Sequence, residues 1–246
     1  LDLSVNAPDS VGINVRSLSG RLRDQPLAGQ GQIALKREQP QAGNLSLTLG
    51  DNSLSLESPD GRVWDLDITA AALVQLAPQL NGNLDLNGQF DLEDGTSQWR
   101  ATLDNASFGE IFLRQASIES DMTWRGERPG GQVVLAASDL DLNPWDRIEQ
   151  IEFTLEGHCD DHEGQLNLIS QHATLDLGLD GALNSCTLNQ LNGWAGSLSR
   201  LYLANTVAGD WSLDQTLDIA VSRETIETGS ACLVETTNRE GHLCLN

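Results

Sequence analysis

The chain has 246 residues, with 14 Lys and Arg against 36 Asp and Glu and a formal net charge of -22 at pH 7. Such a chain repels a phosphate backbone, so nucleic acid is excluded as a partner; so is electrostatic attachment to an anionic membrane surface, which needs clustered Lys and Arg. No stretch approaches the roughly 18 to 20 consecutive apolar residues of a membrane-spanning helix.

From the N-terminus onward, apolar residues alternate at period two with Asp, Asn, Ser, Thr or Gln, the mark of strands with one dry and one wet face. Leu1/Leu3/Val5, Ile13/Val15 and Ile33/Leu35 open the pattern. Leu45/Leu47/Leu49, Leu54/Leu56, Trp64/Leu66/Ile68 and Leu84/Leu86 continue it, each followed by the Gly, Asn or Asp chemistry of hairpin turns. Helical signal is confined to DITAAALVQLAPQL, where Asp67 or Thr69 is placed to cap a short turn before Pro78, and to a second candidate at residues 189–192.

Beyond it come Trp99/Ala101/Leu103, Ile111/Leu113, Met122/Trp124, Val133/Leu135, Ile151/Phe153/Leu155, Leu166/Leu168 and Leu175/Leu177/Leu179. Trp194/Gly196/Leu198, Trp211/Leu213, Leu217/Ile219/Val221 and Leu243/Leu245 complete the series. The expectation is an all-β protein of about 16 strands at roughly 8 to 12 residue spacing, paired as antiparallel hairpins in a long open or curled sheet. No linker or charge run divides the chain, so residues 1–246 are expected to form one continuous architecture. Both ends fall inside alternating patterns, which suggests a segment of a longer protein.

A sheet with one apolar face must cover it with a second sheet, helices or a ligand, since leaving it wet costs roughly 25 cal/mol per Å2. Helical signal is nearly absent, and aromatic residues make up 4% of the chain. The inward positions are therefore mostly Leu: smooth, aliphatic and suited to acyl chains. The alternative is that the Leu rows form the core of a β-sandwich or of a sheet folded on itself.

The segment GHCDDHEG gathers His158, Cys159, Asp160, Asp161 and His162, but such close packing in a turn gives poor geometry for one metal ion, and a turn is the preferred assignment. His172 and His242 lie beside strands without partner motifs. The chain contains no GxSxG, HExxH, P-loop or Rossmann fingerprint. Asp139, Asp141, Asp146 and Glu149 belong to a solvated face rather than an acid/base pair. DLDLNPWD lacks the loop Gly and terminal Glu of an EF-hand. No enzyme activity, catalytic residue, metal or cofactor is expected. The four cysteines, without a CxxC pair, fit disulfides in an oxidising compartment, and proximity favours Cys159 with Cys186 and Cys232 with Cys244 among three possible connectivities.

Three stretches carry a family resemblance: LVQLAPQLNGNLDLNGQFDL at 73–92, LNGWAGSLSRLYLANTVAGDWSLDQTLDIAVS at 191–222, and ACLVETTNREGHLCLN at 231–246. Together they resemble the TamB family of AsmA-like proteins. The resemblance implies a periplasmic segment of an inner-membrane-anchored protein, folded as a U-shaped β-taco with an apolar groove and working with an outer-membrane barrel partner, TamA. It also implies a Cys232–Cys244 bridge and a role in phospholipid transport or outer-membrane protein assembly. All apolar positions named above from Leu45 to Leu179, except Trp64 and Ala101, are assigned to the groove. A scaffold that pairs its strand edges with nascent outer-membrane β-strands is the alternative function. The sequence shows neither the anchor helix nor the C-terminal domain of full-length members, so anchoring and TamA docking are not assigned to these residues.

Overall fold

A chain whose apolar residues alternate along nearly its whole length satisfies its backbone hydrogen bonds strand to strand, and the computed structural model is all-β. The structure describes residues 2–7, 10–36, 39–126, 128–143, 146–186, 193–237 and 241–245. They pack as two compact units, Leu1–Asp121 and Met122–Asn246. Every ladder whose register is described is antiparallel.

The first unit is a meander of β1 (Asp2–Ala7), β2 (Ser10–Leu22), β3 (Gln25–Lys36), β4 (Gln39–Leu49), β5 (Asn52–Ser58), β6 (Val63–Ala70), β7 (Leu80–Asp91), β8 (Thr96–Phe108) and β9 (Ile111–Thr123), whose last residues run into the second unit. The Gln98 amide donates to Asp121 across β8 and β9 at 2.9 Å, and Arg100 pairs with Glu119 at 3.1 Å. The two-residue β2–β3 turn holds Arg23 and Asp24 at φ 50° and 61°, the left-handed backbone that matches strand twist in so short a hairpin.

Helix α1 (Leu73–Leu76) has four residues, shorter than the sequence signal, and its cap is not the expected one. Asp67 and Thr69 lie in strand β6. The segment is anchored instead by Asn52, a buried residue on β5, which accepts the Ala72 N–H at 3.2 Å and donates to Gln75 Oε1 at 3.0 Å. Strand pairing holds β6 extended as far as Ala70, which outweighs the local capping preference. The second helical candidate, 189–192, lies outside the described residues.

The second unit contains β10 (Gly130–Asp141), β11 (Arg147–His158), β12 (Asp161–Ser170), β13 (Thr174–Leu183) and β14 (Gly193–Thr206) in sequence, and at β14 the sheet forks. The Gly193–Leu198 half of β14 pairs with β16 (Leu217–Ser222), which continues to β17 (Ile226–Thr228). The other half pairs with β15 (Gly209–Leu213), which leads to β18 (Ala231–Glu235) and β19 (His242–Leu245). Leu198, Leu217 and Ala231 are buried together where the branches part, with Leu213 and Ile219 against them.

Among the described residues nineteen strands stand where about 16 are expected. Met122/Trp124 is not a strand of its own, because Met122 continues β9 and Trp124 follows its end. β17 and β18, at 3 and 5 residues, are too short for alternation to register. Both bridges have the pairing that proximity favours, Cys159–Cys186 and Cys232–Cys244.

Trp64 is the largest apolar side chain in the buried core, at 6% exposure; its Nε1 donates to the Gly61 carbonyl at 3.1 Å while the Gly61 N–H donates to Ser58 Oγ. Nearby, Arg62 ties Asp91 at 3.1 Å and Asp94 at 2.7 Å. The Asp91 carboxyl is held below its ordinary value first by the Asp94 N–H and then by Arg62. Its stabilising effect is therefore present above pH 3.8 and lost as the pH falls through the lowered value. Trp64→Ala is expected to cost about 3–5 kcal/mol by chemical denaturation. Removing the Cys159–Cys186 or Cys232–Cys244 bridge by paired Ser substitutions is expected to cost roughly 3 kcal/mol each in the chain-entropy account. A cost under about 1 kcal/mol for Trp64→Ala would contradict its place as a packed anchor.

Candidate functional site

Directly opposed residues of an antiparallel pair point to the same face, so strand registers show which side chains share a surface. In the first unit three rows cross the strands: Gly29–Leu47–Leu54–Ile68–Leu86–Ala101, Gly31–Leu45–Leu56–Leu66–Gly88–Trp99, and Leu27–Leu49–Asn52–Ala70–Leu84–Leu103. In the second unit the rows are Leu135–Phe153–Leu166–Leu177–Leu201, Ala137–Ile151–Leu168–Leu175–Leu203–Trp211, and Val133–Leu155–Gly164–Leu179–Leu198–Leu217. The sequence-assigned residues in these rows therefore share one face within each unit. The glycines make room for larger neighbours: a Cβ at Gly88 would lie 2.7 Å from that of Trp99.

The opposite face is polar in the same register. Glu57–Asp65–Gln89–Gln98 and Ser55–Asp67–Asn87–Arg100 form its rows in the first unit. Gln89 donates to Asp65 at 3.0 Å, and in the second unit Arg200 pairs with Asp176 at 3.0 Å.

None of the assigned residues is buried. Most are half-buried, while Ile111, Trp124 and Leu155 are exposed at 44%, 40% and 36%. The fully buried apolar residues among those described are Trp64, Ala70, Leu73, Ala101, Ala106, Leu198, Leu217 and Ala231, half of them alanine. Leu113 and Met122 are half-buried on β9. Met122, Trp124, Val133 and Leu155 converge on one apolar cavity in the second unit, which the Cys159–Cys186 bridge also lines.

The His158–His162 cluster is committed to structure. Cys159 is in its disulfide, His158 Nδ1 faces the Arg128 carbonyl at 3.2 Å, and Asp160 takes a forked pair from Arg128 at 2.8 to 3.0 Å. That guanidinium holds the Asp160 carboxyl below the usual carboxylate range. Trp194 Nε1 donates to His162 Nε2 at 2.8 Å; since indole only donates, Nδ1 carries the ring proton and gives it to the His158 carbonyl at 3.1 Å. The Trp194 ring lies over Gly181 and Gly196, which stand in the cross-strand row Gly131–Gly157–His162–Gly181–Gly196. Sequence reasoning missed this contact, since the glycines fall into line only when the strands are paired. Asp139 pairs with Arg147 at 2.5 Å and Asp146 accepts its backbone N–H, so both brace the β10–β11 turn.

Leu56→Ala or Leu166→Ala, on the half-exposed rows, is expected to cost about 1 kcal/mol in a denaturation midpoint assay, against roughly 2–4 kcal/mol for Leu198→Ala at the fork. Equal costs would mean that the rows are packed as tightly as the buried cluster. Gly181→Ala places a methyl group into the Trp194 ring, and overpacking of about 1–3 kcal/mol with a shift in tryptophan emission is expected.

No curated protein and no solved structure matches the chain. A family model described as TamB, N-terminal domain, matches residues 9–246. With nearly the whole length matched and an all-β antiparallel fold, the chain belongs to the TamB family.

Proposed function

We propose that this segment, as part of an outer-membrane biogenesis module, holds phospholipid acyl chains along the aliphatic face of each unit and conducts them between inner and outer membranes. The observation that carries this is that, among the described residues, the Leu rows of both units are half-exposed and the buried apolar set is eight side chains, four of them alanine. Each methylene moved from water onto such a surface gains about 0.8 kcal/mol. A uniform aliphatic lining offers no polar anchor, so a chain slides along it at little cost.

The family supports a periplasmic place for the segment and a link to the translocation and assembly module. Among the described residues no helix is long and apolar enough to cross a membrane. Anchoring in the inner membrane and docking to the outer-membrane barrel TamA are not assigned to these residues. The role proposed is non-catalytic: of the histidines and carboxylates that attract attention in the sequence, His162, Asp160 and Asp139 are held by Trp194, Arg128 and Arg147.

The test compares organic extracts of the chain, purified from a bacterial periplasm, with those of a Leu86→Arg, Phe153→Arg, Leu177→Arg variant by mass spectrometry. Stoichiometric phospholipid in the parent, lost from a variant whose circular dichroism is unchanged, is expected. Full lipid load in the folded variant would sink the proposal, and absence of lipid from both would favour strand pairing with protein clients.

A further inference from the structure

The apolar cavity of the second unit holds about 340 Å3. Most of its exposed lining is apolar, with Met122, Trp124, Val133 and Leu155 and the Cys159–Cys186 bridge presenting thioether, indole, methyl and disulfide surfaces, while Glu156, His158 and His162 also border it. Two larger cavities in the first unit, of 460 and 370 Å3, differ in kind, being lined by Asn14, Gln32, Asn44 and Glu57.

The cavity stands at the start of a track. Val133 and Leu155 are a cross-strand pair, and their row runs through Gly164 and Leu179 to Leu198 and Leu217. Five strand-to-strand steps of about 4.8 Å make this roughly 24 Å long. At its far end Leu198 and Leu217 are buried with Ala231, so the row is shut there, while at the near end Gly164 stands opposite Leu155 and leaves that side chain exposed toward the cavity. The surroundings are hostile to a lipid phosphate. Glu156 lines the cavity, Asp160 and Asp161 follow the bridge cysteine, and the nearby Arg128 guanidinium is engaged by both carboxylate oxygens of Asp160.

We propose that this cavity is an end pocket for hydrocarbon: it receives the terminal methyl segment of one phospholipid acyl chain lying along the Val133–Leu179 part of the row, with the headgroup held away from it. The inference rests on the acyl-chain reading of the preceding subsection and adds a fixed polarity, tail end at the disulfide. At roughly 30 Å3 per methylene, about the share of a water molecule, the cavity takes about eleven carbons. That is the outer part of a membrane-lipid chain and not a whole lipid.

Trp124 in the wall is the reporter. The intact chain is loaded with phosphatidylethanolamine brominated either at the chain end or beside the carbonyl, and tryptophan quenching is read against a Trp124→Phe variant. Chain-end bromine is expected to remove most of the Trp124 emission and carbonyl-side bromine little of it; Val133→Phe, which fills the cavity, should abolish the difference. Photocrosslinkers at Leu166 and Leu177 report separately whether lipid occupies the rows. Crosslinked lipid without chain-end quenching overturns the pocket and leaves the groove standing, whereas no crosslink and no quenching overturns both. Trp124 shielded by an unfolded β-strand peptide and not by lipid would also overturn it, in favour of a protein occupant.

Discussion

Cross-strand register is the constraint on which the rest of this structure depends. Backbone hydrogen bonding places Leu54 opposite Leu47 and Ile68, and Leu166 opposite Phe153 and Leu177, so that each unit has an aliphatic face and a face of Asp, Asn, Ser, Gln and Arg. A sheet so divided must be covered or must cover something else, because exposed aliphatic area is costly in water. About three quarters of the chain lies in strands, and the one short helix among the described residues, α1, buries a single leucine, Leu73. The uncovered face is thus a consequence of composition as much as of fold, and the proposed function rests on it.

Register shifts interrupt the β2–β3, β7–β8, β11–β12, β13–β14 and β14–β15 ladders, and Asn105 on β8 and Asn205 on β14 take positive φ where two of these shifts fall, which resets the alternation. Glycines opposite large side chains keep the rows level: Gly88 admits Trp99, and Gly181 with Gly196 admits Trp194. The fork at β14 is the place where the second unit buries a leucine cluster, since two branches of sheet supply the second layer that the rest of the face lacks.

Charge divides the molecule in the same way. With a net charge of -22, the chain keeps polyanions off its surface, while its arginines are spent on neighbouring carboxylates, Arg62 on Asp91 and Asp94, Arg128 on Asp160, Arg147 on Asp139. These exposed pairs contribute little to stability individually. Their effect is to brace turns, and the histidine-rich turn that resembles a metal site in sequence is one of the turns so braced.

The sequence by itself determined the strand class, the antiparallel hairpins and the one-sidedness of the strands, because each follows from a period of two residues or from turn chemistry. Only the tertiary structure decided which leucines stand in one row, that Asn52 and not Asp67 or Thr69 anchors the short helix, that Met122 continues one strand instead of starting another, and that Trp194 reaches His162 across a line of glycines. The physical reason is that alternation is local, whereas register accumulates every turn length and bulge between two strands, and a shift of one residue sends each side chain to the other face. The cavity beside the Cys159–Cys186 bridge belongs to the second kind, since it exists only where β9, β10 and β11 bring Met122, Val133 and Leu155 together.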